Sequence, residues 1–210
     1  GLNRFDRETG RFHRYQNDPN DGTSLSRNEI RSVFQDREGA LWIGTHGGGL
    51  NKLDRGKDFL HYRASADAPT GLADNLVLAI YQDRSGTIWI GTGGGGLDRW
   101  DRESGRFWHH RSSPHDPNSL SHDTVLAIYE DRSGNLWVGT WGGGLDRFDR
   151  EAGFFHHYRP IPGDPTSLSS PVVASITQDD AGDLWVGTWG GGLDRLDPET
   201  QQFTRYQHDP

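Results

Sequence analysis

Apolar and polar residues alternate along this chain in runs of four to six positions, and the runs are separated by turns rich in Gly, Asp, Ser and Pro. Alternation of that period and length predicts short β-strands. The first kind of strand is predicted at Ile30 to Phe34, Val77 to Tyr81, Val125 to Tyr129 and Val173 to Thr177. Its third position is always small: Ser32, Ala79, Ala127, Ser175. The second kind follows a D-x-x-G turn, at Leu41 to Thr45, Ile88 to Thr92, Leu136 to Thr140 and Leu184 to Thr188. A glycine run, such as Gly47-Gly48-Gly49, then leads into a third.

The third strand occurs five times, at Leu2 to Asp6, Leu50 to Asp54, Leu97 to Asp101, Leu145 to Asp149 and Leu193 to Asp197. Its frequent polar positions are expected on an outer strand, where charges discourage pairing with other molecules. A fourth carries Phe12, Phe59, Phe107, Phe155 and Phe203 in one column and Tyr15, Tyr62, His110, Tyr158 and Tyr206 three positions later. An odd separation puts the two aromatics on opposite faces, so both faces are partly buried. Sheets sandwiched between sheets fit a propeller, with the small-residue strand innermost, where neighbours crowd closest.

The four copies of D-x-x-G-x-[LI]-W-[VI]-G-T-x-G-G-G-L begin at Asp36, Asp83, Asp131 and Asp179, and their tryptophans, Trp42, Trp89, Trp137 and Trp185, stand 47, 48 and 48 residues apart. A period of that size marks a repeat architecture. The predicted fold is therefore an all-β propeller of four-stranded antiparallel blades, about four and a half per chain. It forms one repeat domain over 1–210, with a half blade at 1–15 and blades at 29–62, 76–110, 124–158 and 172–206. Long Pro- and Asp-rich loops link the blades, and a single apolar residue in each, Leu25, Leu72, Leu120 or Leu168, is expected to plug the loop onto the ring. The second loop, Ala66 to Leu72, departs from the D-P-x-S-L form of the others. Because Leu193 to Tyr206 duplicates Leu2 to Tyr15, two expectations follow for closure: a small ring that displaces one copy, or a homo-oligomer that completes a larger ring.

Composition changes this picture little. Only 31% of the 210 residues are apolar, but 8 Trp, 9 Phe and 6 Tyr in repeated columns supply large buried areas. A net charge of −8 without a basic stripe argues against nucleic acid as a partner, and no apolar run of about 20 residues contacts a membrane. The absence of cysteine excludes thiolate chemistry and Cys-ligated zinc. No Met is present and Gly1-Leu2 already lies inside a repeat unit, so a segment cut from a longer protein is expected.

The consensus S-L-S-x-[DN]-x-V-x-x-I-x-x-D-x-x-G-x-L-W-[VI]-G-T-x-G-G-G-L-x-R-x-D, closed by F-x-x-Y, resembles the two-component regulator propeller repeat over almost the whole chain. The resemblance implies the extracytoplasmic, ligand-sensing region of a bacterial hybrid histidine kinase, periplasmic or extracellular, with carbohydrate fragments as frequent ligands. Family members usually carry more repeats arranged as complete rings, and no kinase or DNA-binding segment is present here to carry the output.

The candidate site is a rim. In a four-stranded meander the interblade loops and the G-T-x-G-G-G turns emerge on the same face, and the variable position of that turn is His46, Gly93, Trp141 and Trp189. Aromatics there can stack on a sugar or another small molecule, or simply pack on each other. Arg27, Asp74, His122 and Ser170, just after the Leu plugs, differ between blades and suit an asymmetric ligand as well as plain surface drift. The pairs His109-His110 and His156-His157 point to opposite faces, so neither chelates a metal, and packing on the next blade is expected. The D-x-x-G copies read as structural turns, since the alternating acidic ligands of a calcium loop are missing. Carboxylate pairs such as Asp98 with Asp101 repeat in every blade, whereas a catalytic pair needs unlike environments. No catalytic residue, metal or cofactor is expected. The alternative to a sensor is a ligand-free repeat scaffold, excised or engineered, whose main property is self-assembly of blades.

Overall fold

In a computed structural model, residues 1–53, 58–65 and 71–208 are described; Asp54 and the departure at 66–70 lie outside them. The chain forms strands throughout. A two-stranded antiparallel sheet, β1 (Leu2–Asp6) and β2 (Arg11–Tyr15), precedes four blades. The first blade is β3 (Ile30–Gln35), β4 (Leu41–Thr45), β5 (Leu50–Leu53) and β6 (Phe59–Tyr62). The second is β7 (Val77–Gln82), β8 (Ile88–Thr92), β9 (Leu97–Trp100) and β10 (Phe107–His110). The third is β11 (Val125–Glu130), β12 (Leu136–Thr140), β13 (Leu145–Asp149) and β14 (Phe154–Tyr158), and the fourth β15 (Val173–Gln178), β16 (Leu184–Thr188), β17 (Gly192–Leu196) and β18 (Phe203–Tyr206). Each is an antiparallel meander in chain order, as expected from the pattern, with bounds that shift by a residue at strand ends.

First strands lie side by side: β3 packs on β7, β7 on β11 and β11 on β15. The small column explains how they come so close. Ser32, Ala79, Ala127 and Ser175 pair across the sheet with Gly44, Gly91, Gly139 and Gly187. A Cβ on Gly139 would stand 2.6 Å from Val173 Cγ1 and 2.8 Å from its carbonyl oxygen. Only glycine admits the next blade there.

Burial of the aromatic columns makes the junctions between blades. Trp42, Leu50 and Tyr62 of the first blade meet Leu72, Val77, Ile88, Ile90 and Phe107 of the second. The same set recurs between the second and third and between the third and fourth. The Leu plugs are fully or almost fully buried, as expected. Tyr15 and Phe59 stand 5.7 Å apart, Tyr62 and Phe107 5.6 Å, His110 and Phe155 5.6 Å, and Tyr158 and Phe203 6.0 Å. Edge-to-face pairs at this distance add about 0.5–1.5 kcal/mol beyond area burial. They run as one ladder from blade to blade.

The D-x-x-G turn is structural, with a more specific cause than turn propensity. Asp131 Oδ1 accepts the amide hydrogens of Ser133 and Asn135 while Oδ2 accepts the indole hydrogen of Trp137 at 2.8 Å. Asp36, Asp83 and Asp179 hold Trp42, Trp89 and Trp185 in the same way. The glycine at φ 88° (Gly134) turns the chain so that the indole six residues on reaches the carboxylate.

One reading is corrected. The second position of the third strand in the four blades does not protect an edge: Asn51, Asp98, Asp146 and Asp194 are fully buried. Asn51 Oδ1 accepts the backbone amide hydrogen of Ser26, and a carboxylate oxygen of Asp98, Asp146 or Asp194 accepts that of Ala73, Ser121 or Ser169. The long loop is thereby pinned to its own blade, and at Asp98 and Asp194 these hydrogen bonds only partly offset the burial that raises the carboxyl above its ordinary range.

Candidate ligand-binding rim

The interblade loops and the glycine turns do share one rim. A Cβ on Gly48 would fall 2.5 Å from Arg27 Cγ, and one on Gly143 2.1 Å from Ser121 Oγ. Thr45, Thr92, Thr140 and Thr188 close each turn by donating Oγ1 hydrogen bonds to the carbonyl four residues on. The variable residue is therefore presented from a fixed backbone. Trp141 donates its amide hydrogen to Thr124 O, and Trp189 to Val172 O.

The predicted residues separate into groups. Trp141 and Trp189 come together across the third and fourth blades, edge to face at 4.9 Å, and remain 43% and 66% exposed. His122 lies against the turn that carries Trp141: its ring is 3.6 Å from the Cβ position of Gly142, and its Nδ1 accepts the amide hydrogen of Thr124. Ser170 donates to Trp189 O. His46 and Arg27 belong to the first blade, where His46 Nδ1 is 3.7 Å from Glu29 Oε2 and Arg27 packs its stem over Gly48. Asp74, in the loop entering the second blade, spends one oxygen on the amide hydrogen of Leu76. Among the described residues no ring contact or ion pair joins His46, Arg27 or Asp74 to the tryptophans.

Two features escaped the sequence reading. The adjacent histidines do divide between faces, and His110 packs on Phe148 and Phe155 of the next blade as expected. Burial pushes its pKa down to about 4, with the charges of Arg99 and His109 adding to the effect. His109 and His157, however, turn back across the sheet to hydrogen-bond Asp98 and Asp146 Oδ1 at 2.7 Å. The hydrogen bond to Asp146 raises His157, whereas desolvation raises Asp98. These pairs lie under the loops and serve as anchors: His157 Nε2 also reaches Pro117 O.

The second missed feature is on the opposite rim, among the D-x-x-G turns. Cavities of about 380 Å³ and 310 Å³ open there, the first beside Glu38, Arg99 and Arg102, the second beside Arg132, Arg147 and Gln201. Between them Arg150 bridges Asp83 Oδ2 at 2.8 Å and Glu130 Oε1 at 3.0 Å, both acids buried. Burial opposes ionisation of Asp83, but hydrogen bonds from Ser85, Trp89 and Arg150 outweigh it and hold the carboxyl below its ordinary range. Glu130 stands where the other blades have Gln35, Gln82 and Gln178, which was the available signal.

Fold and rim together define a repeat segment of a β-propeller with meander blades. Residues 24–47, 71–94, 119–142 and 167–190 match the two component regulator propeller family, so the four repeats belong to that family. The extracellular domain of a B. thetaiotaomicron protein assigned to a hybrid two component system is 31% identical and superposes with a TM-score of 0.78, over 88% of this chain and 25% of that one. A second such domain from the same organism is 22% identical, with a TM-score of 0.71 over 98% of this chain and 34% of that one. Virginiamycin B lyase from Staphylococcus aureus shares the fold at 17% identity, with a TM-score of 0.64 over 86% of this chain and 56% of that one. The chain thus spans about a quarter to a third of the length of the two extracellular domains. No curated protein matches it. No described helix is long and apolar enough to cross a membrane.

Proposed function

We propose that the chain is a non-catalytic sensing segment of a bacterial membrane sensor, exposed outside the cytoplasm, and that it binds a small molecule or glycan at the patch formed by Trp141, Trp189 and His122. The observation that carries the reading is the pair of exposed indoles held edge to face at 4.9 Å on the glycine turns of two adjacent blades, with His122 against the turn that carries Trp141. Two indoles set edge to face offer one open π-face for the C–H surface of a sugar ring, and a polar nitrogen next to it fixes orientation. The patch occurs once, because the first two blades carry His46 and Gly93 at the same place.

Likeness to extracellular domains of two component systems supports the sensing role and the location. The streptogramin-type lyase neighbour shares only the fold, and the carboxylates here repeat as structural anchors. A thermal-shift and tryptophan-fluorescence screen against oligosaccharides tests the reading. A saturable shift lost in Trp141→Ala and Trp189→Ala is expected. No shift with any sugar, or shifts that survive both substitutions, would favour the ligand-free scaffold instead.

A further inference from the structure

The junctions between blades repeat one design, but the side chains that fill them differ. At the first, Trp100 of the second blade stands 4.9 Å from Trp42, and Lys52 Nζ lies over both rings at 5.2 and 5.5 Å. The space left there beside the D-x-x-G turns is about 40 Å³, room for a single water molecule. At the second junction Phe148 takes the place of Trp100, and Arg150 lies 5.8 Å over Trp89 while pairing with Asp83. At the third, Leu196 stands in the aromatic column and Pro198 in the arginine column. Two large side chains are thereby shortened. A cavity of about 310 Å³ opens, walled by Trp137, Leu184 and Leu196, and it reaches the size range of small-molecule sites.

One arginine sets the chemistry of this cavity. Arg147, the counterpart of Lys52, lines it, is partly buried, and makes no side-chain hydrogen bond or ion pair among the described residues. The other charges nearby are already committed. Asp131 accepts hydrogen bonds on both oxygens from Ser133, Asn135 and Trp137, Asp149 accepts two amide hydrogens, and Arg132 pairs with Asp180 at 2.9 Å. A second wall residue is strained. Among the described residues Gln201 is the one non-glycine at positive φ, 58°, where the equivalent turns carry Gly10, Gly105 and Gly153 at 67°, 69° and 76°. Its side chain is kept there and fixed: Oε1 accepts from Tyr158, and Nε2 donates to Pro198 O. Strain retained in the wall of an enlarged cavity is a mark of use. We infer that the cavity between the third and fourth blades binds a small organic monocarboxylate, with its carboxylate on the Arg147 guanidinium and its apolar body against Leu184, Leu196 and Trp137. One uncommitted guanidinium balances one negative charge, and Asp131 and Asp149 close by disfavour a second. The site lies on the rim opposite Trp141 and Trp189 and is independent of them.

The test is calorimetric titration of the whole chain with benzoate, cyclohexanecarboxylate and indole-3-acetate. At least one is expected to bind saturably, with one site per chain. The neutral amide of that acid should bind at least about tenfold more weakly, and Arg147→Gln should weaken the acid by a similar factor. Leu196→Trp rebuilds the side chain that the second blade carries, and should abolish binding without lowering the thermal midpoint. Trp141→Ala should leave the affinity unchanged, so failure here and failure of the indole patch are read separately. No saturable binding by any of the three acids overturns the proposal. So does binding that survives Leu196→Trp, or an amide that binds as tightly as its acid.

Discussion

The junction between the second and third blades and the outer face of the fourth blade are built from the same repeat, yet one is core and the other surface. Trp89 and Leu97 are sealed at the junction, whereas Trp185 is only partly covered and Leu193 is open to solvent. A Cβ on Gly91 would strike Val125 of the next blade, while one on Gly187 would meet only Ser175 of its own. Arg84 donates its amide hydrogen to Glu130 across the junction, and Asp180, its counterpart on the fourth blade, lies in solvent. Burial in a repeat protein is therefore a property of the neighbour, and stability adds up from one interface to the next.

The largest contrast should come from the tryptophans. Trp89→Ala removes a buried indole and is expected to cost about 3–5 kcal/mol, whereas Trp185→Ala should cost less than half as much. Denaturant unfolding of both variants checks this, and equal losses would break the comparison. Arg150→Ala leaves Asp83 buried without its cation and Glu130 with only the more distant Arg84, for a loss of about 3 kcal/mol. The exposed pair of Arg102 with Glu38 at 2.8 Å is screened by solvent and contributes little, so Arg102→Ala unfolds near the wild-type midpoint.

Acid separates the junctions by a single residue. His110 occupies a column that otherwise holds Tyr, and its folded pKa of about 4 lies below the ordinary 6.5. The unfolded chain therefore binds the proton first. Stability is full above pH 6.5 and declines as the pH falls toward 4, by about 3 kcal/mol from this group. His110→Tyr should remove that share of the acid loss, measured as the difference between the two stability profiles. Glycine separates the same two regions. Gly139→Ala collides with the Val173 carbonyl and should cost about 1–3 kcal/mol. Gly187→Ala meets only a serine hydroxyl, and Ser175→Ala should relieve it.

Most of the blade was legible in the sequence because turns and strands are local. The D-x-x-G turn, the Leu plug and the opposed Phe and Tyr columns each follow from residue type and period. The loop anchors were not legible in the same way, since Asp98 and Ala73, like Asp146 and Ser121, stand 25 residues apart. A polar residue on a strand looks like surface until its partner is known. The constant offset was nonetheless present in all four copies and would have revealed it. At the rim, the sequence placed His46, Trp141 and Trp189 at one turn position, but which of them meet depends on blade order and on Trp141 turning toward Trp189. The Arg150 bridge joins two blades because Arg150 reaches Asp83 of the second blade as well as the irregular Glu130 of its own, and the first of these pairings lies in no single repeat.

The ladder of Tyr and Phe rungs has a consequence for how such a molecule grows. Every junction uses the same two faces, so an in-frame duplication or deletion of one 48-residue unit leaves both flanking surfaces matched, wherever the crossover falls. Unequal recombination between copies can then change the number of units in a gene without first passing through a chain that cannot fold.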